Sequence, residues 1–556
     1  MARLTILLVP TPFCVNPSRI MDVWPWICDL PSSPEWTNSK SSQLVYQLAN
    51  SGSNKDNTIP SRSIQLRAER SSESSIEKWI TFSICVHGFQ SNGASKTIWL
   101  SDPCPLSSDN PFLPFVQQLI QEIVNRAPIT YHNHTHHTSQ TLKIKPDPIA
   151  WILQTHPPES FSGLFNLLLI TRLFWLCACD SPSDVGSFFF HSLLAPNLEQ
   201  LSRDSRVPVV KAFLVAVGVD VELCLARAVG YMLAKWLIVK EMRVGLPSLL
   251  PLPSNLGLSY ANEACGLWLM KLYAPVWAMR RTCSSDTTEK LYPFVQPKES
   301  ALRYALAHQQ LEAQIQLEYT VGFHETHIQV TTRVDNIRVH VVKLGFNKDA
   351  ENDDMEFREE IYFPSRIEFW VGPEVGSNYV ASLSLGRSTQ NTEREIETQK
   401  LMKGSFGKMK SLKVKTTSRN STKMKMKNWR WDQDIEGNTA IFDAVFYENS
   451  NGIEVYSTKL VGGASASTKP VDDLGRRYSK VNRPFMKSGG LVFTGKEYGE
   501  EVKWRLSKEM EGSVLKWRTG AKVWLTYWPS EVESSFYETR CIEWSDEVDL
   551  PLIPSK

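Results

Sequence analysis

The sequence has almost no excess charge of one sign. Its 556 residues include 61 Lys and Arg and 59 Asp and Glu, which leaves a formal net charge of +2. A chain this close to neutrality lacks the bulk positive field that attracts proteins to nucleic acid, although a local patch can still be basic. The balance therefore makes nucleic acid an unlikely partner.

Paired cysteines and an uncharged run of membrane length are also missing. The ten cysteines include no C-x-x-C pair and mostly lie in apolar stretches, as small buried thiols in a reducing compartment do. Residues 163–179 contain Arg172 and residues 208–239 contain several charges, which disfavours a membrane span. Residues 1–20 resemble a weak signal peptide without a cleavage site and are interpreted as an optional extension. We therefore predict an intracellular protein, cytoplasmic or nuclear, with no transmembrane segment.

No catalytic motif is complete. The "HGF" triplet, residues 87–89, follows a predicted strand as the oxyanion loop of α/β-hydrolases does, but Ser259 in "GLSYA" has no strand before it to form the required elbow. Gly93 and Lys96 are too far apart for a phosphate-binding loop, and no helix pattern follows them. A serine hydrolase remains a minor alternative, and the sequence favours a non-catalytic protein without settling the matter.

The hydrophobic pattern predicts an α+β protein with a helical middle region and a large C-terminal antiparallel β-sandwich or barrel-like domain. Residues 21–62 are interpreted as an aromatic segment followed by a Ser/Asn-rich linker. Residues 63–106 contain a strand pair that is expected to join the C-terminal sheet. Residues 107–312 form the helical region, with helical stretches expected as late as 260–280 and 298–312, and residues 313–556 form the β-domain.

One stretch, "DQDIEGNTAIFD" at 432–443, has nearly the spacing of a calcium loop. The candidate ligands are Asp432, Asp434, Glu436, Asn438 and Asp443. Strand-like sequence on both sides argues against the helices of an EF-hand and favours a hairpin turn at Gly437. Calcium, or a small ligand held by this β-loop, is therefore an alternative function, and no other cofactor is expected.

The segment just before this loop has no acidic side chain. Residues 399–431 contain eleven Lys or Arg and no Asp or Glu, and we name this segment the basic ribbon. Seven of its lysines alternate partly with Met, Leu and Val, and these are Lys408, Lys410, Lys413, Lys415, Lys423, Lys425 and Lys427. Alternation on extended backbone places several of them on one face, where they could contact a protein or another anionic surface. The opposing interpretation is an edge hairpin that its lysines protect from aggregation.

Several longer motifs resemble an uncharacterised family of plant proteins. They include "WPWICDLPSSPEW", "SDPCPLSSD", "SRIEFWVGPEVGSNYVASLSLGRST", "WRWDQDIEGN" and "YETRCIEWSDEVDLP". Members of that family are sometimes labelled calcium/calmodulin-dependent serine/threonine kinase-like, but the resemblance implies no established activity. The chain has no GxGxxG loop, VAIK lysine, HRD or DFG motif, so kinase chemistry has neither a nucleotide clamp nor a base. The leading prediction is a binding or scaffold protein that acts through its β-domain and the basic ribbon.

Overall fold

A computed structural model gives the fold of the chain. It describes residues 21–32, 42–51, 61–71, 78–90, 93–130, 142–204, 208–241, 256–277, 308–346, 361–386, 394–406, 414–426, 429–446, 490–494, 501–528 and 538–554. The chain divides into two compact units. Unit 1 comprises Met1–Tyr260, Leu272–Leu311 and Val342–Phe357, and unit 2 comprises Ala261–Lys271, Glu312–Val341 and Arg358–Lys556.

The helices lie in the first half of the chain. Their bounds are α1 (Trp24–Asp29), α2 (Leu113–Asn125), α3 (Pro146–Thr155), α4 (Pro158–Phe174), α5 (Ser183–Phe189), α6 (Ala195–Asp204), α7 (Pro208–Ala216) and α8 (Val219–Glu241). Short 3₁₀ turns occur at Leu30–Ser32 and Lys508–Met510, and π-helical turns at Trp175–Cys179 and Phe190–Leu194.

The strands occur in both halves of the chain. Those before residue 278 are β1 (Gln43–Asn50), β2 (Ser63–Arg70), β3 (Trp79–His87), β4 (Lys96–Leu100), β5 (Cys104–Pro105), β6 (Ile129–Thr130), β7 (Leu258–Ala264) and β8 (Leu267–Trp277). Those after it are β9 (His308–Phe323), β10 (His327–Gly345), β11 (Ile361–Pro373), β12 (Val380–Leu385), β13 (Arg394–Phe406), β14 (Val414–Met426), β15 (Trp429–Glu436), β16 (Thr439–Phe446), β17 (Gly490–Thr494), β18 (Glu501–Ser507), β19 (Val514–Trp528) and β20 (Glu538–Pro551).

All the strand pairs with a described register are antiparallel, and the strands form four sheets within the described residues. The first has the order β1-β2-β3-β4, with β5 also paired to β3. The second has the order β12-β18-β10-β9-β8-β7, with β17 and β6 also paired to β10. The third has the order β15-β16-β11-β19-β20, and the fourth consists of β13 and β14 alone.

Unit 1 has a core between its first sheet and its helices. Ile64, Leu66 and Phe82 are fully buried on β2 and β3, because alternate residues of a strand point to the same face. Phe82 stacks on Phe115 of α2 with ring centroids 4.3 Å apart, and Phe115 lies on the buried stripe of that helix. Burial of this shared aromatic layer helps to hold the helices on the sheet.

The longest apolar helical run in the described residues is Pro158–Cys179, which joins α4 to the first π-helical turn. Its length and mean hydropathy of 1.6 would suit a membrane span, yet 83% of its most apolar window is buried inside the protein. Arg172 within it forms an ion pair with Glu122, which also accepts a hydrogen bond of 2.9 Å from the indole N–H of Trp99. The helix is therefore packed as a core element of unit 1, as helices that are apolar all round commonly are.

Unit 2 has a core of tryptophans that connects two antiparallel sheets. Trp268 of β8 and Trp504 of β18 both lie against Trp517 of β19, with centroid distances of 5.4 and 4.9 Å. All three are fully buried, and the indole N–H of Trp504 donates to the carbonyl of Asn438 at 2.9 Å. This packing of one sheet face on another is that of a sandwich. The predicted α+β class with a large C-terminal antiparallel β-domain is confirmed.

Several finer predictions about the chain's organisation are wrong. The described part of 260–280, residues 260–277, consists of strands β7 and β8 rather than a helix. A two-residue turn at Cys265 and Gly266, with φ of +52° and +85°, joins these strands, as hairpin turns with two positive φ values do. Apolar residues here recur at every second position, for example Trp268, Met270 and Leu272, which is the period of a strand and not of a helix. The segment 298–312 is likewise not helical at its end, where β9 begins at His308, and its first part lies outside the described residues.

The early strands also differ from the prediction. The strand pair within 63–106 does not join the C-terminal sheet but forms a sheet of its own with β1, β4 and β5. Its buried face is already covered by helices of unit 1, so no second sheet is needed to bury it. Within 21–62, α1 lies in the predicted aromatic segment, and the predicted Ser/Asn-rich linker contains strand β1, which pairs with β2 along nearly its full length.

Candidate functional site

The basic ribbon lies largely on a β-hairpin. Lys415, Lys423 and Lys425 belong to β14, whereas Lys408, Lys410, Lys413 and Lys427 lie outside the described residues. The partner strand β13 begins before the ribbon, at Arg394, and pairs with β14 at thirteen consecutive positions. In the described part of the chain, β13 and β14 pair only with each other.

The register of this hairpin separates a balanced end from a basic end. Glu395 is directly opposite Lys425, and Glu397 is directly opposite Lys423. Opposite charges at facing positions of an antiparallel pair favour each other. Farther along, Lys400, Lys403, Lys415 and Arg419 face uncharged Asn420, Thr417, Ser405 and Leu401. The basic residues of β13 and β14 that face no acidic residue therefore lie on the side of the register away from Arg394 and Met426.

The calcium-like stretch forms the next hairpin along the chain. Strands β15 and β16 pair along their full length, with Trp429 opposite Phe446 at one end and Glu436 opposite Thr439 at the other. A two-residue turn at Gly437 and Asn438 connects them. Gly437 has φ of +61°, which agrees with the hairpin turn expected from the sequence. The carbonyl of Asn438, one candidate ligand, accepts the indole N–H of Trp504.

The acidic candidates are distributed along this hairpin. Asp432, Asp434 and Glu436 occupy alternate, exposed positions of β15, and Asp432 lies directly opposite Asp443 of β16. Facing carboxylates repel each other unless cations lie nearby. Arg366 supplies one such cation, because its Nε and Nη2 donate to Asp443 at 2.9 and 2.7 Å.

Other groups engage two further acidic candidates. Arg430 lies 3.2 Å from a carboxylate oxygen of Asp432, and Asp434 accepts the backbone N–H of Ile435 at 2.8 Å. Within the part of the chain that the structure describes, no group of three or more His, Cys, Asp or Glu side chains could hold a metal ion. Calcium binding at 432–443 stays a prediction, and in this arrangement it would require the Arg366–Asp443 pair to open.

The pair at Asp443 belongs to a larger set of charges that the sequence motifs did not indicate. Arg366 also lies over the ring of Trp524 at 4.7 Å, and Lys522 lies 3.3 Å from Glu368 and 5.3 Å from the centre of Trp370. These contacts join β11, β16 and β19 on one face of the third sheet. The alternating Arg366 and Glu368 in "SRIEFWVG" and the single Lys522 in "GAKVWLTYW" are the signal for such a face, but the partners across strands follow only from the register.

The "HGF" loop has a structural explanation in unit 1. Gly88 has φ of +76°, and a Cβ built on it would lie 2.5 Å from the carbonyl oxygen of Ser61, so only glycine fits. Burial and the adjacent charge of Arg67 lower the pKa of His87. Ser259 lies within strand β7, and in the described residues no hydrogen bond joins it to a histidine ring. A serine hydrolase that uses Ser259 stays a prediction.

Comparison with known proteins adds little to this description. No protein-family model and no curated protein matches the chain. Among solved structures, the Clostridium perfringens NetB toxin in its membrane-inserted form is 12% identical, over 52% of this chain and 92% of the toxin, with a TM-score of 0.17. Clostridium perfringens delta-toxin is 9% identical, over 53% of this chain and 96% of the toxin, with a TM-score of 0.19. A structure described as a pore forming protein is 12% identical, over 52% of this chain and 94% of that protein, with a TM-score of 0.16. These scores are too low to support a functional conclusion.

Proposed function

We propose that this protein is a non-catalytic binding protein whose β-domain contacts an anionic partner through the basic ribbon. The observation that carries the proposal is the register of β13 and β14. Only two acidic residues, Glu395 and Glu397, face the lysines of the hairpin, and both lie at its balanced end. Residues 394–431 together contain twelve Lys or Arg and two Asp or Glu, a net charge of +10 in a chain whose net charge is +2.

Such a concentration of positive charge favours association with anionic surfaces over short distances. A basic side chain close to an anionic membrane contributes about 1 kcal/mol, and salt screens the attraction beyond a Debye length of about 10 Å. An acidic protein segment would be attracted by the same field. The partner is therefore expected to be a protein or an anionic surface, and its binding should weaken steeply as the salt concentration rises.

The proposal is tested with two anionic probes and the full-length chain. Vesicles of phosphatidylserine and phosphatidylcholine represent a membrane surface, and poly-L-glutamate represents an acidic polypeptide. Replacing Lys400, Lys403 and Lys415, which face uncharged residues, by Gln should weaken vesicle binding roughly 100-fold, because three contributions of about 1 kcal/mol are lost. Reversing the charge of all seven ribbon lysines to Glu should abolish binding of either probe.

A matched variant controls for net charge. Lys503, Lys508 and Lys516 lie in unit 2 outside the hairpin, and their replacement by Gln removes the same charge from the chain. This control should bind nearly as well as the wild type. Equal loss of binding in both variants, or unchanged binding when all seven ribbon lysines are reversed, would refute a role for the ribbon.

A further inference from the structure

The first sheet has one polar face. Alternate residues of β2 and β3 are buried in the core of unit 1, and Gln65, Arg67, Cys85 and His87 occupy the intervening positions. Thr97 of β4 lies directly opposite Cys85, and its hydroxyl is 3.4 Å from the Cys85 thiol. Polar side chains from three strands therefore share this face of the sheet.

Arg67 is the cation at the centre of this face. Its Nη2 donates to Oε1 of Gln65 at 3.2 Å and to Oγ of Ser95 at 3.1 Å, and it also contacts Nε2 of His87. Among the described residues, no hydrogen bond uses its Nη1, and no carboxylate forms an ion pair with the guanidinium. The two N–H groups of Nη1 are therefore available to a further acceptor.

The contact with Arg67 fixes how the ring of His87 is protonated. A guanidinium can only donate, so the neutral ring accepts at Nε2 and carries its hydrogen on Nδ1. Burial and the charge of Arg67 both lower the pKa of His87, which agrees with a neutral ring. In the described part of the chain, Nδ1 has no hydrogen-bond partner, and the exposed Ser95 keeps its own O–H to donate. Unused donors thus surround Arg67.

The strands around this group of donors are poor in acidic residues. Strands β1 to β4 contain Arg67, Arg70 and Lys96 but only one acid, Glu69. Glu69 is on the polar face but lies farther along β2 from His87 than Arg67 does. Protonation of His87 would place two cations in contact, which is unfavourable without an anion beside them. The charge and the donors both favour a bound anion.

We propose that Arg67, His87 and Ser95 form a binding site for a tetrahedral oxyanion, that is, a phosphate or sulfate group. The guanidinium provides charge-assisted hydrogen bonds, and the ring N–H and the hydroxyl provide two more donors to the oxygens. All three residues belong to unit 1, whereas the basic ribbon belongs to unit 2. The site is therefore independent of the proposed function.

Binding of the oxyanion is coupled to protonation of His87. An anion beside the ring stabilises its charged form and raises its pKa, so by linkage the anion binds more tightly as the pH falls. Arg62 and Lys96 are adjacent in sequence to residues paired with the end of β3, and with Arg67 they oppose protonation before the anion binds. Glu69 is too far along β2 to replace the anion.

NMR titration of the full chain, labelled at its histidine rings, tests this coupling. The signal of His87 is assigned from its loss in His87→Gln, and the probe is sulfate, which stays divalent between pH 5 and 8. Sulfate should raise the pH midpoint of the His87 signal by about 1 in the wild type, as an anion in contact does. Chloride at equal ionic strength should raise it much less, because screening of Arg67 is its only effect.

Two variants separate the site from general charge effects. In Arg67→Gln the midpoint of His87 should be higher without sulfate and should no longer respond to it. Lys96→Gln removes the same charge from the neighbouring strand, at a position opposite the buried Val86, and should keep the wild-type response. An unmoved midpoint in the wild type, an equal effect of chloride, or an undiminished response in Arg67→Gln would overturn the proposal.

Two phosphate probes distinguish a free ion from a phosphorylated molecule. Inorganic phosphate and phenyl phosphate are titrated at pH 8, where both are mainly divalent, and the His87 signal reports binding. Equal affinities would support a site for the free ion, and tighter binding of phenyl phosphate would support a phosphate group carried by a larger molecule. Failure of both probes to shift the His87 signal would overturn the proposal.

Discussion

The ion pair between Arg366 and Asp443 provides a sharp test of how the calcium-like stretch is used. Two hydrogen bonds of 2.9 and 2.7 Å join the guanidinium to the carboxylate, and the two side chains are 35% and 22% exposed. Fully exposed pairs contribute up to about 1 kcal/mol, whereas breaking a buried pair costs about 3–5 kcal/mol. Glu368, 3.7 Å from Arg366, would partly replace the lost carboxylate. Asp443→Asn should therefore reduce local stability by roughly 1–2 kcal/mol.

Hydrogen exchange of peptides from β11 and β16 measures this loss locally, without assuming that the whole chain unfolds in one step. A double-mutant cycle with Arg366→Met should give a coupling of about 1 kcal/mol between the two side chains. Because Asp443 is already hydrogen-bonded to Arg366, calcium titration calorimetry on residues 21–556 should show no saturable heat of binding.

Two results would refute this reasoning. A coupling near zero would show that the pair does not hold β11 to β16. Saturable calcium binding that disappears in an Asp432→Ala/Asp434→Ala variant would instead make 432–443 a cation site.

Three further predictions concern packing, pH and thiol reactivity. Gly520→Val should destabilise unit 2 by several kcal/mol in urea unfolding, because a Cβ there would lie 2.4 Å from the ring of Trp370; a near-neutral change would contradict the packing. Burial lowers the pKa of His191 below its usual 6.5, so the free energy of unfolding should fall as pH drops below about 6.5. In urea titrations between pH 7 and 5, His191→Gln should make the free energy of unfolding depend less on pH. Burial raises the pKa of Cys177 to about 12, so iodoacetamide should label exposed Cys265 but not Cys177 in the native protein at neutral pH; equal labelling would show that unit 1 opens.

The sequence predicts elements best where one period dominates. Phe115, Leu119 and Ile123 recur at helical spacing, and all three are fully buried on α2. The alternation in "SRIEFWVG" likewise predicts β11 and its buried residues Ile367 and Phe369. Such local patterns carry enough information for the α+β class.

What the sequence does not reveal depends on contacts between distant residues. The pairing of Arg366 with Asp443 joins positions 77 residues apart, and only the register of β11 with β16 brings them together. The separate sheet of β1–β5 has the same origin, because strands with a hydrophobic face can be covered by either helices or another sheet. For the basic ribbon, composition reveals the charge, whereas the pairing of Glu395 with Lys425 shows which end remains unbalanced.

Hydrogen exchange with and without vesicles of phosphatidylserine and phosphatidylcholine tests the role of the ribbon most directly, because it locates the contact surface on the unmodified chain. Binding through the ribbon predicts that peptides covering 394–431 exchange more slowly when vesicles are present, and that added salt reverses this protection. Poly-L-glutamate should give the same pattern if the natural partner is an acidic protein. Protection confined to other parts of the chain, with no change in 394–431, would contradict the proposed function.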